Sequence, residues 1–292
     1  MNKNIFMRKY LFLLSLIFVL NSCKDEKDNK PKEENIPERK APERTKPSDV
    51  SFQFQKTKAF LATNPTEKQL QIIYAVNRMD KANLTKKDSI IVPTDLTGDV
   101  EFYLPFPLEV DYLKDIKKII YFSYPTQSFA TYEYGYLTYA GPTNMGSKKN
   151  QTPTGLFFAN WKAEETISTV DDEWKLLWNF NIANKLGVGW HQYELPGYPA
   201  SHSCLRLTET DAKFLYTWAD QWVLKDDQNV SVKGTPTIVF GSYDFDGPKA
   251  WYALVKNPKA LNISESDIEG ITKPFLEEIL AEQKNRLAYT NK

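Results

Sequence analysis

The feature that most restricts the fold is a series of short apolar segments between residues 117 and 242. Each segment is rich in β-branched or aromatic residues and is bounded by glycine, proline or asparagine, which is the pattern of strands and their turns. The clearest segments are residues 119–122, 129–139, 156–158, 175–180 and 237–240. This stretch is therefore predicted to be mainly β.

One helix is predicted inside this stretch, starting after Thr208. Asp211 follows three residues later, so the two residues form a capping pair. The apolar stripe expected for this helix consists of Leu215, Trp218, Ala219 and Trp222. Because a helix amino terminus carries a partial positive charge, we expect this end to point back toward the residues just before it.

Helical patterns flank the β-rich stretch on both sides. Residues 49–113 combine a helix predicted at 67–78 with a short strand at 89–93, an order that resembles the second half of a lysin motif. This small α+β module is interpreted as a degenerate wall-binding unit or a spacer. Residues 243–292 are predicted to be a helical extension with one start at Ser264 and another at Pro274. The fold class is thus mainly β with flanking helices, with the central domain at 114–242.

The amino terminus has the layout of a secretory signal peptide. Basic residues precede the apolar run at 10–20, which is too short to span a bilayer stably. The sequence Leu20-Asn21-Ser22-Cys23 resembles the lipobox of bacterial lipoproteins. The resemblance implies that residues 1–22 are removed and that Cys23 becomes the lipidated first residue, anchoring the protein to a membrane of the cell envelope.

Residues 23–48 are nearly all charged, polar or proline, so they are predicted to be a disordered tether. The outer membrane, with the protein on its periplasmic face, is the expected place for such an anchor. Lys24-Asp25-Glu26 also resembles the short tag that sends some lipoproteins to the cell surface. The 37 basic and 37 acidic residues cancel, which removes any charge argument for a nucleic-acid partner.

The chain has two cysteines and two histidines. If Cys23 is lipidated, Cys204 has no disulfide partner, so it is expected to be buried or used. A cysteine attacks as the thiolate, and an imidazole can take its proton. His191 and His202 both lie shortly before Cys204, and the turn at Ser203 and Cys204 can aim backbone N–H groups at an oxyanion.

These residues carry a family resemblance. Ser201-His202-Ser203-Cys204-Leu205-Arg206 resembles the Ser/Thr-His-Gly-Cys-X-Arg signature of the L,D-transpeptidase catalytic domain, with His191 as its upstream histidine. The segment 152–157, Thr-Pro-Thr-Gly-Leu-Phe, resembles the earlier Thr-Pro-X-Gly-X-Phe segment of the family, and 234–238 stands at the closing strand. The likeness covers residues 117–242.

The resemblance implies a role for each site residue. Cys204 would be the nucleophile, His191 its base, and the backbone carbonyl of Gln192 the group that orients the imidazole. His202 and Ser203 would shape the oxyanion turn.

Four further residues are predicted to contact substrate or support the turn. Arg206 would hold the loop or steer a substrate carboxylate, and Ser201 is expected to support the turn rather than react. Trp190, next to His191, and Tyr198 are predicted to flank the substrate. Tyr193 is a further candidate to flank the acyl site. Other tryptophans, including Trp174, are candidates for the cleft wall, and residues 170–173 are a candidate lid.

The implied activity is peptidoglycan L,D-transpeptidation. A tetrapeptide stem would acylate the cysteine with release of D-alanine, and an amine would then accept the acyl group. The implied partners are peptidoglycan stem peptides, and the reaction calls for no metal or cofactor.

Two departures from the family pattern bear on geometry. Ser203 replaces the usual glycine, which would carry strain if that position has a positive φ. Only nine residues separate His191 from Ser201, fewer than usual, and Gln192 replaces a common glycine. Pro196, Gly197 and Pro199 predict a compact turn that returns the chain to the same point.

Four other interpretations of the same residues stay open at this stage. Water in place of the amine acceptor would make the protein an L,D-carboxypeptidase or amidase. A non-catalytic peptidoglycan-binding lipoprotein would keep the fold without the reaction. A thiolate with two imidazoles would also suit zinc, and an inert buried cysteine needs no ligand at all.

Overall fold

The computed structural model describes residues 40–168 and 174–290. The predicted signal peptide, Cys23 and the tether up to residue 39 lie outside these ranges, as does the candidate lid. Within them, no helix is long and apolar enough to cross a membrane.

The amino-terminal part contains a two-stranded sheet and three helices. In chain order its elements are β1 (Phe52–Lys56), α1 (Thr57–Leu61), α2 (Glu67–Asn77), α3 (Lys81–Leu84) and β2 (Ser89–Pro93). Helix α2 begins with a capping box, in which Thr66 and Gln69 each bond the backbone N–H of the other. It ends where Arg78 takes a left-handed conformation. The helix and the strand predicted in this part are confirmed.

The central part is built from two larger sheets and one small one. Its strands are β3 (Ile119–Ser123), β4 (Ser128–Glu133), β5 (Tyr136–Pro142), β6 (Gly155–Phe158), β7 (Lys162–Ile167), β8 (Lys175–Ala183), β9 (Val188–Gln192), β10 (Leu205–Leu207), β11 (Val223–Leu224), β12 (Val230–Val232) and β13 (Pro236–Phe240). One sheet has the order β5-β4-β3-β13-β6 and the other β10-β9-β8-β7, while β11 and β12 pair separately. The prediction of a mainly β region is confirmed.

Two strand pairs are parallel, β3 with β13 and β9 with β10, and the others are antiparallel. One hydrophobic cluster joins the two larger sheets. It includes Phe122 of β3, Phe180 of β8, Trp190 of β9 and Leu205 of β10, all inaccessible to solvent. Strands β9 and β10 are therefore fixed on one side by the core.

Helix α4 (Glu209–Trp218) closes this cluster with Ala212 and Leu215. The side chain of Thr208 accepts the backbone N–H of Asp211, so the predicted cap is confirmed. Two residues of the predicted stripe, Ala219 and Trp222, lie beyond the helix, because it ends at Trp218. Trp222 lies in extended chain, where its N–H bonds the carbonyl of Asn160.

The carboxyl-terminal part is helical, as predicted, with α5 (Glu265–Thr272) and α6 (Leu276–Thr290). Ser264 caps α5 in a capping box with Asp267. A second cluster packs Ile268 and Ile279 of these helices with Tyr121 of β3, and a third packs Trp251 with Phe52 of β1. The described residues, 40–168 and 174–290, belong to one compact unit, and the domain boundaries predicted inside it stay predictions.

Candidate active site

Strands β9 and β10 place the candidate residues on one face of their sheet. The parallel register pairs Trp190 with Leu205 and His191 with Arg206. Because successive side chains of a strand point to opposite faces, the first pair faces the core and the second pair faces away from it. His191 and Arg206 therefore lie on the side of the sheet that faces away from the hydrophobic core.

A small pocket opens on this face. It is lined by Ser168, Trp174, Leu176, His191, Tyr193, Ser201, His202, Cys204 and Arg206. Five of the predicted site residues are thus brought together, namely Cys204, both histidines, Ser201 and Arg206. Ser203, Trp190 and Tyr198 are not among the lining residues.

His191 is held as a neutral base. Its Nδ1 lies 2.8 Å from the carbonyl oxygen of Gln192, and the side chain is 4% exposed. Since a carbonyl only accepts, Nδ1 must carry the proton, which leaves the lone pair on Nε2. The orienting role predicted for this carbonyl is confirmed, and because it uses the backbone, it is compatible with glutamine in place of glycine. Burial lowers the pKa of His191 to about 4, even though the Gln192 contact raises it.

Cys204 is partly exposed, and burial of its thiol raises its pKa. The thiol lies 3.8 Å from the carbonyl oxygen of Gly187, to which it donates. A raised thiol pKa beside a lowered imidazole pKa means that both groups are neutral at rest. Proton transfer is therefore expected to accompany the attack on a carbonyl, with the neutral imidazole ready to accept.

Ser203 has a φ of +83°. An L-residue with a side chain pays about 1–2 kcal/mol in the left-handed region, where glycine is free of this penalty. The position therefore has the geometry that the family glycine suits, and the strain predicted for serine is confirmed. The turn at the cysteine keeps its shape in spite of the substitution.

Two hydroxyl groups hold this turn. Ser201 is 1% exposed, and its Oγ donates to the carbonyl oxygen of Cys204 at 2.6 Å. Thr152 Oγ1 donates to the carbonyl oxygen of Ser203 at 2.9 Å and accepts the N–H of Gly146 at 2.9 Å. Ser201 thus supports the turn, as predicted. The contact made by Thr152 was not predicted, although the motif around it was recognised.

Comparison with known proteins agrees with this geometry. Residues 117–239 match the family model of the L,D-transpeptidase catalytic domain, YkuD. This segment is therefore similar to the L,D-transpeptidase catalytic domain. No protein of curated function matches the chain.

Solved structures of L,D-transpeptidases are also similar to it. One from Stackebrandtia nassauensis is 22% identical over 44% of this chain and 57% of its own, with a TM-score of 0.37. One from Mycobacterium smegmatis is 20% identical over 43% of this chain and 59% of its own, with a TM-score of 0.34. One from Mycobacterium tuberculosis is 17% identical over 43% of this chain and 58% of its own, also with a TM-score of 0.34. The chain thus spans less than two thirds of the length of these proteins.

Within the matched segment, the aromatic walls of the pocket differ from the prediction in one residue. Trp190 is fully buried, with its ring centroid 4.8 Å from that of Phe180, so its predicted contact with substrate is wrong. Trp174 and Tyr193, both candidates from the sequence, line the pocket. The ring of Trp174 lies 5.4 Å from that of His202, and the guanidinium of Arg206 stacks 4.3 Å from the ring of Tyr193. The two-residue period of the strand explains the place of Tyr193, because this residue follows His191 on the same side.

The helix amino terminus is also not where we expected it. Strand β10 separates Cys204 from Thr208, and four residues of extended chain span about 13 Å. The effect of a helix end fades within about one turn, so α4 does not act on the thiol. Its first turn contains the buried Asp211, whose carboxylate accepts hydrogen bonds from Tyr139 and Thr208. Burial raises the pKa of Asp211 to about 6.

The short loop between His191 and Ser201 is held by the amino-terminal part of the chain. Asp80 Oδ2 accepts the N–H of Leu195 at 2.6 Å, and the N–H of Asp80 donates to the carbonyl of Leu195 at 3.1 Å. Met79 forms a β-bridge with Pro196. Gly197 has a φ of +77°, and a Cβ there would meet the side chain of Met79. The predicted compact turn is confirmed, and its support comes from outside the matched domain.

The other end of the loop is held by Asn144. Its side-chain amide donates to the carbonyl of Tyr198, and its Oδ1 accepts the N–H of Ala200 at 3.3 Å. The backbone of Asn144 pairs with that of Arg206. Tyr198 therefore has a fixed backbone, and its ring is 49% exposed beyond the pocket.

The zinc interpretation lacks a ligand set here. Across residues 40–168 and 174–290, no three histidine, cysteine, aspartate or glutamate side chains come together as metal ligands would.

Proposed function

We propose that the protein is a peptidoglycan L,D-transpeptidase that uses Cys204 as its nucleophile. The observation that carries the proposal is the pairing of His191 with the carbonyl of Gln192 in the pocket that also holds Cys204. This contact fixes the proton on Nδ1 and leaves Nε2 as the only ring atom able to accept one.

The donor half-reaction follows from these groups. The sulfur of Cys204 attacks the carbonyl carbon of the third residue of a tetrapeptide stem, and the thiol proton passes to Nε2 of His191. Backbone N–H groups of the turn stabilise the oxyanion. The C–N bond to the fourth residue then breaks, His191 returns the proton to the departing D-alanine amine, and a thioester remains.

The second half-reaction uses the same groups in reverse. A neutral amine attacks the thioester, its proton moves through His191, and the sulfur of Cys204 leaves with a proton as the thiol. The product is an amide. If the amine is on the third residue of another stem, a 3-to-3 cross-link forms.

Arg206 and the aromatic walls suit a peptide with a free carboxylate. The guanidinium is positioned by Tyr193 and borders the pocket, so its planar fork of donors is available to a carboxylate. Trp174 supplies an apolar wall of the same pocket, with its ring centroid 6.4 Å from that of Tyr193.

We also propose that Cys23 carries the lipid anchor and that the domain works in the cell envelope, on the periplasmic face of the outer membrane. The support is the lipobox-like sequence and the polar tether of residues 23–48. Metabolic labelling with a fatty-acid analogue tests it. Label on the wild type but not on Cys23→Ala is expected, and label on both would contradict it.

The reaction is tested with purified tetrapeptide stems, the wild type and two variants, Cys204→Ala and His191→Gln. We expect D-alanine release and a thioester adduct on the intact mass of the wild type. Neither should occur with Cys204→Ala, and His191→Gln should slow release at least a hundredfold, the usual range for a general base. A carbapenem, which presents a strained acyl group, should add to Cys204 in the same assay.

Three outcomes would change the proposal. A folded wild type that neither releases D-alanine nor forms an adduct would refute the enzyme and favour a non-catalytic wall-binding protein. Release without an amide product, in the presence of acceptor amine, would favour a carboxypeptidase. An adduct that persists in Cys204→Ala would assign the nucleophile elsewhere.

A further inference from the structure

A group of exposed aromatic side chains lies beside the catalytic loop. In the described part of the chain, Phe54, Tyr198, Tyr252 and Tyr289 are the strongly exposed large aromatic residues, and the first three lie together. The rings of Phe54 and Tyr252 meet edge to face at 5.3 Å. The ammonium of Lys249 lies 5.5 Å from the ring of Tyr252 and 5.8 Å from that of Tyr198. We call these four residues, Phe54, Tyr198, Lys249 and Tyr252, the aromatic strip.

Lys249 gives the strip a positive charge with no carboxylate partner in residues 40–168 and 174–290. The Nζ also lies 5.9 Å from the ring of Trp251, so three rings surround it. Burial lowers the pKa of Lys249 to about 8, and the charge of Lys87 acts in the same direction. A cation in this setting gains from an anionic partner, which would stabilise the charged form.

The strip is fixed relative to the pocket. Tyr198 belongs to the loop between His191 and Ser201, and Asn144 ties its carbonyl to the strand that carries Arg206. The same loop is held at Leu195 by Asp80. A ligand bound along the strip would therefore lie at a constant distance from the nucleophile.

The chemistry of the strip narrows the class of ligand. Tyrosine rings offer an apolar face and a hydroxyl, so they suit ligands that present both C–H faces and polar edges. Sugar rings have both, and the substituents of a peptidoglycan strand add carboxylates. A lipid surface would call for a larger apolar area with many basic residues.

We propose that the aromatic strip binds the glycan part of peptidoglycan, with sugar rings on the faces of Phe54, Tyr198 and Tyr252 and a carboxylate on Lys249. The inference rests on the proposed function, because it assumes that the stem in the pocket is attached to a sugar chain. The strip would hold the polymer while the pocket processes one stem.

The test measures binding to insoluble peptidoglycan with Cys204→Ala protein, so that no turnover occurs. Co-sedimentation is compared for Phe54→Ala, Tyr252→Ala, Lys249→Gln and the control Tyr289→Ala, which removes an equally exposed ring at a distant helix. Each strip variant should bind about tenfold more weakly, and the control should bind normally. Thermal unfolding of each variant checks that it is folded.

A second measurement separates this proposal from the reaction. With Cys204 intact, the KM for a free tetrapeptide without sugar should be unchanged in Tyr252→Ala. Sedimentation that is equal in the strip variants and the wild type would refute the strip, as would a wild type that does not sediment. A wild type that binds through the strip but fails to process stems would refute the proposed reaction and leave the strip intact.

Discussion

The strain at Ser203 predicts the direction and the size of the change in the free energy of unfolding when this serine is replaced by glycine. With φ at +83°, the serine Cβ costs about 1–2 kcal/mol, and Ser203→Gly removes that cost. Glycine also adds freedom to the unfolded chain, which offsets about 0.4–1 kcal/mol of the gain. We therefore expect a net increase of about 0.5–1 kcal/mol in the free energy of unfolding. For a chain of this size, the melting temperature should rise by roughly 1–4 °C.

The assay is equilibrium unfolding in urea, followed by thermal melting, with Ser203→Ala as the matched control. Alanine keeps the Cβ and the strain and removes only the hydroxyl, so it should not stabilise the protein. A gain as large in Ser203→Ala as in Ser203→Gly would assign the effect to the hydroxyl. A Ser203→Gly protein less stable than the wild type would refute the argument from φ.

Four more predictions concern polar groups that support the fold and the site. His191 loses its proton more readily in the folded protein than in the unfolded chain, so the free energy of unfolding should fall as pH drops from about 6.5 to 4. At the end of that range the wild type should have lost about 3 kcal/mol relative to His191→Gln. The raised pKa of Asp211 has the opposite effect. It contributes stability below about pH 4, and this contribution is lost as pH rises through about 6. The difference in the free energy of unfolding between the wild type and Asp211→Asn should therefore change with pH in the reverse direction. Thr152→Val should cost about 1–3 kcal/mol in urea unfolding by leaving two turn groups unpaired, and Thr152→Ser should restore most of it. Asp80→Ala should speed hydrogen exchange at the amide of Leu195, while equal exchange rates in the variant and the wild type would contradict the proposed support of the loop.

The strands and the reactive residues could be predicted because their signals are local. Segments such as 119–122 carry their own β pattern, and Cys204 and His191 stand out because the chain has few such side chains. The conformation of Ser203 could be foreseen from a single replaced glycine. In these cases the information lies within a few residues of the position concerned.

The contacts that complete the site could not be predicted in this way. Asp80 and Leu195 are 115 residues apart, and nothing near either one indicates the other. Trp190 was assigned to substrate because it is adjacent to His191 in sequence, whereas alternate side chains of a strand face opposite ways. The helix that starts after Thr208 was placed near Cys204 for the same reason, because the two are close in sequence. That prediction did not take into account the strand β10, which separates them.

The support that Asp80 gives to the loop between His191 and Ser201 bears on which part of the chain is needed to hold the site together. The matched domain spans 117–239, yet the backbone of Leu195 and Pro196 is bonded to Asp80 and Met79, which precede it. A fragment cut at the start of the matched segment would keep all the reactive side chains and lose the partner of their loop. The nine-residue loop between His191 and Ser201 is thus held from outside the matched segment. The smallest fragment that keeps this loop in place is therefore expected to include Met79 and Asp80.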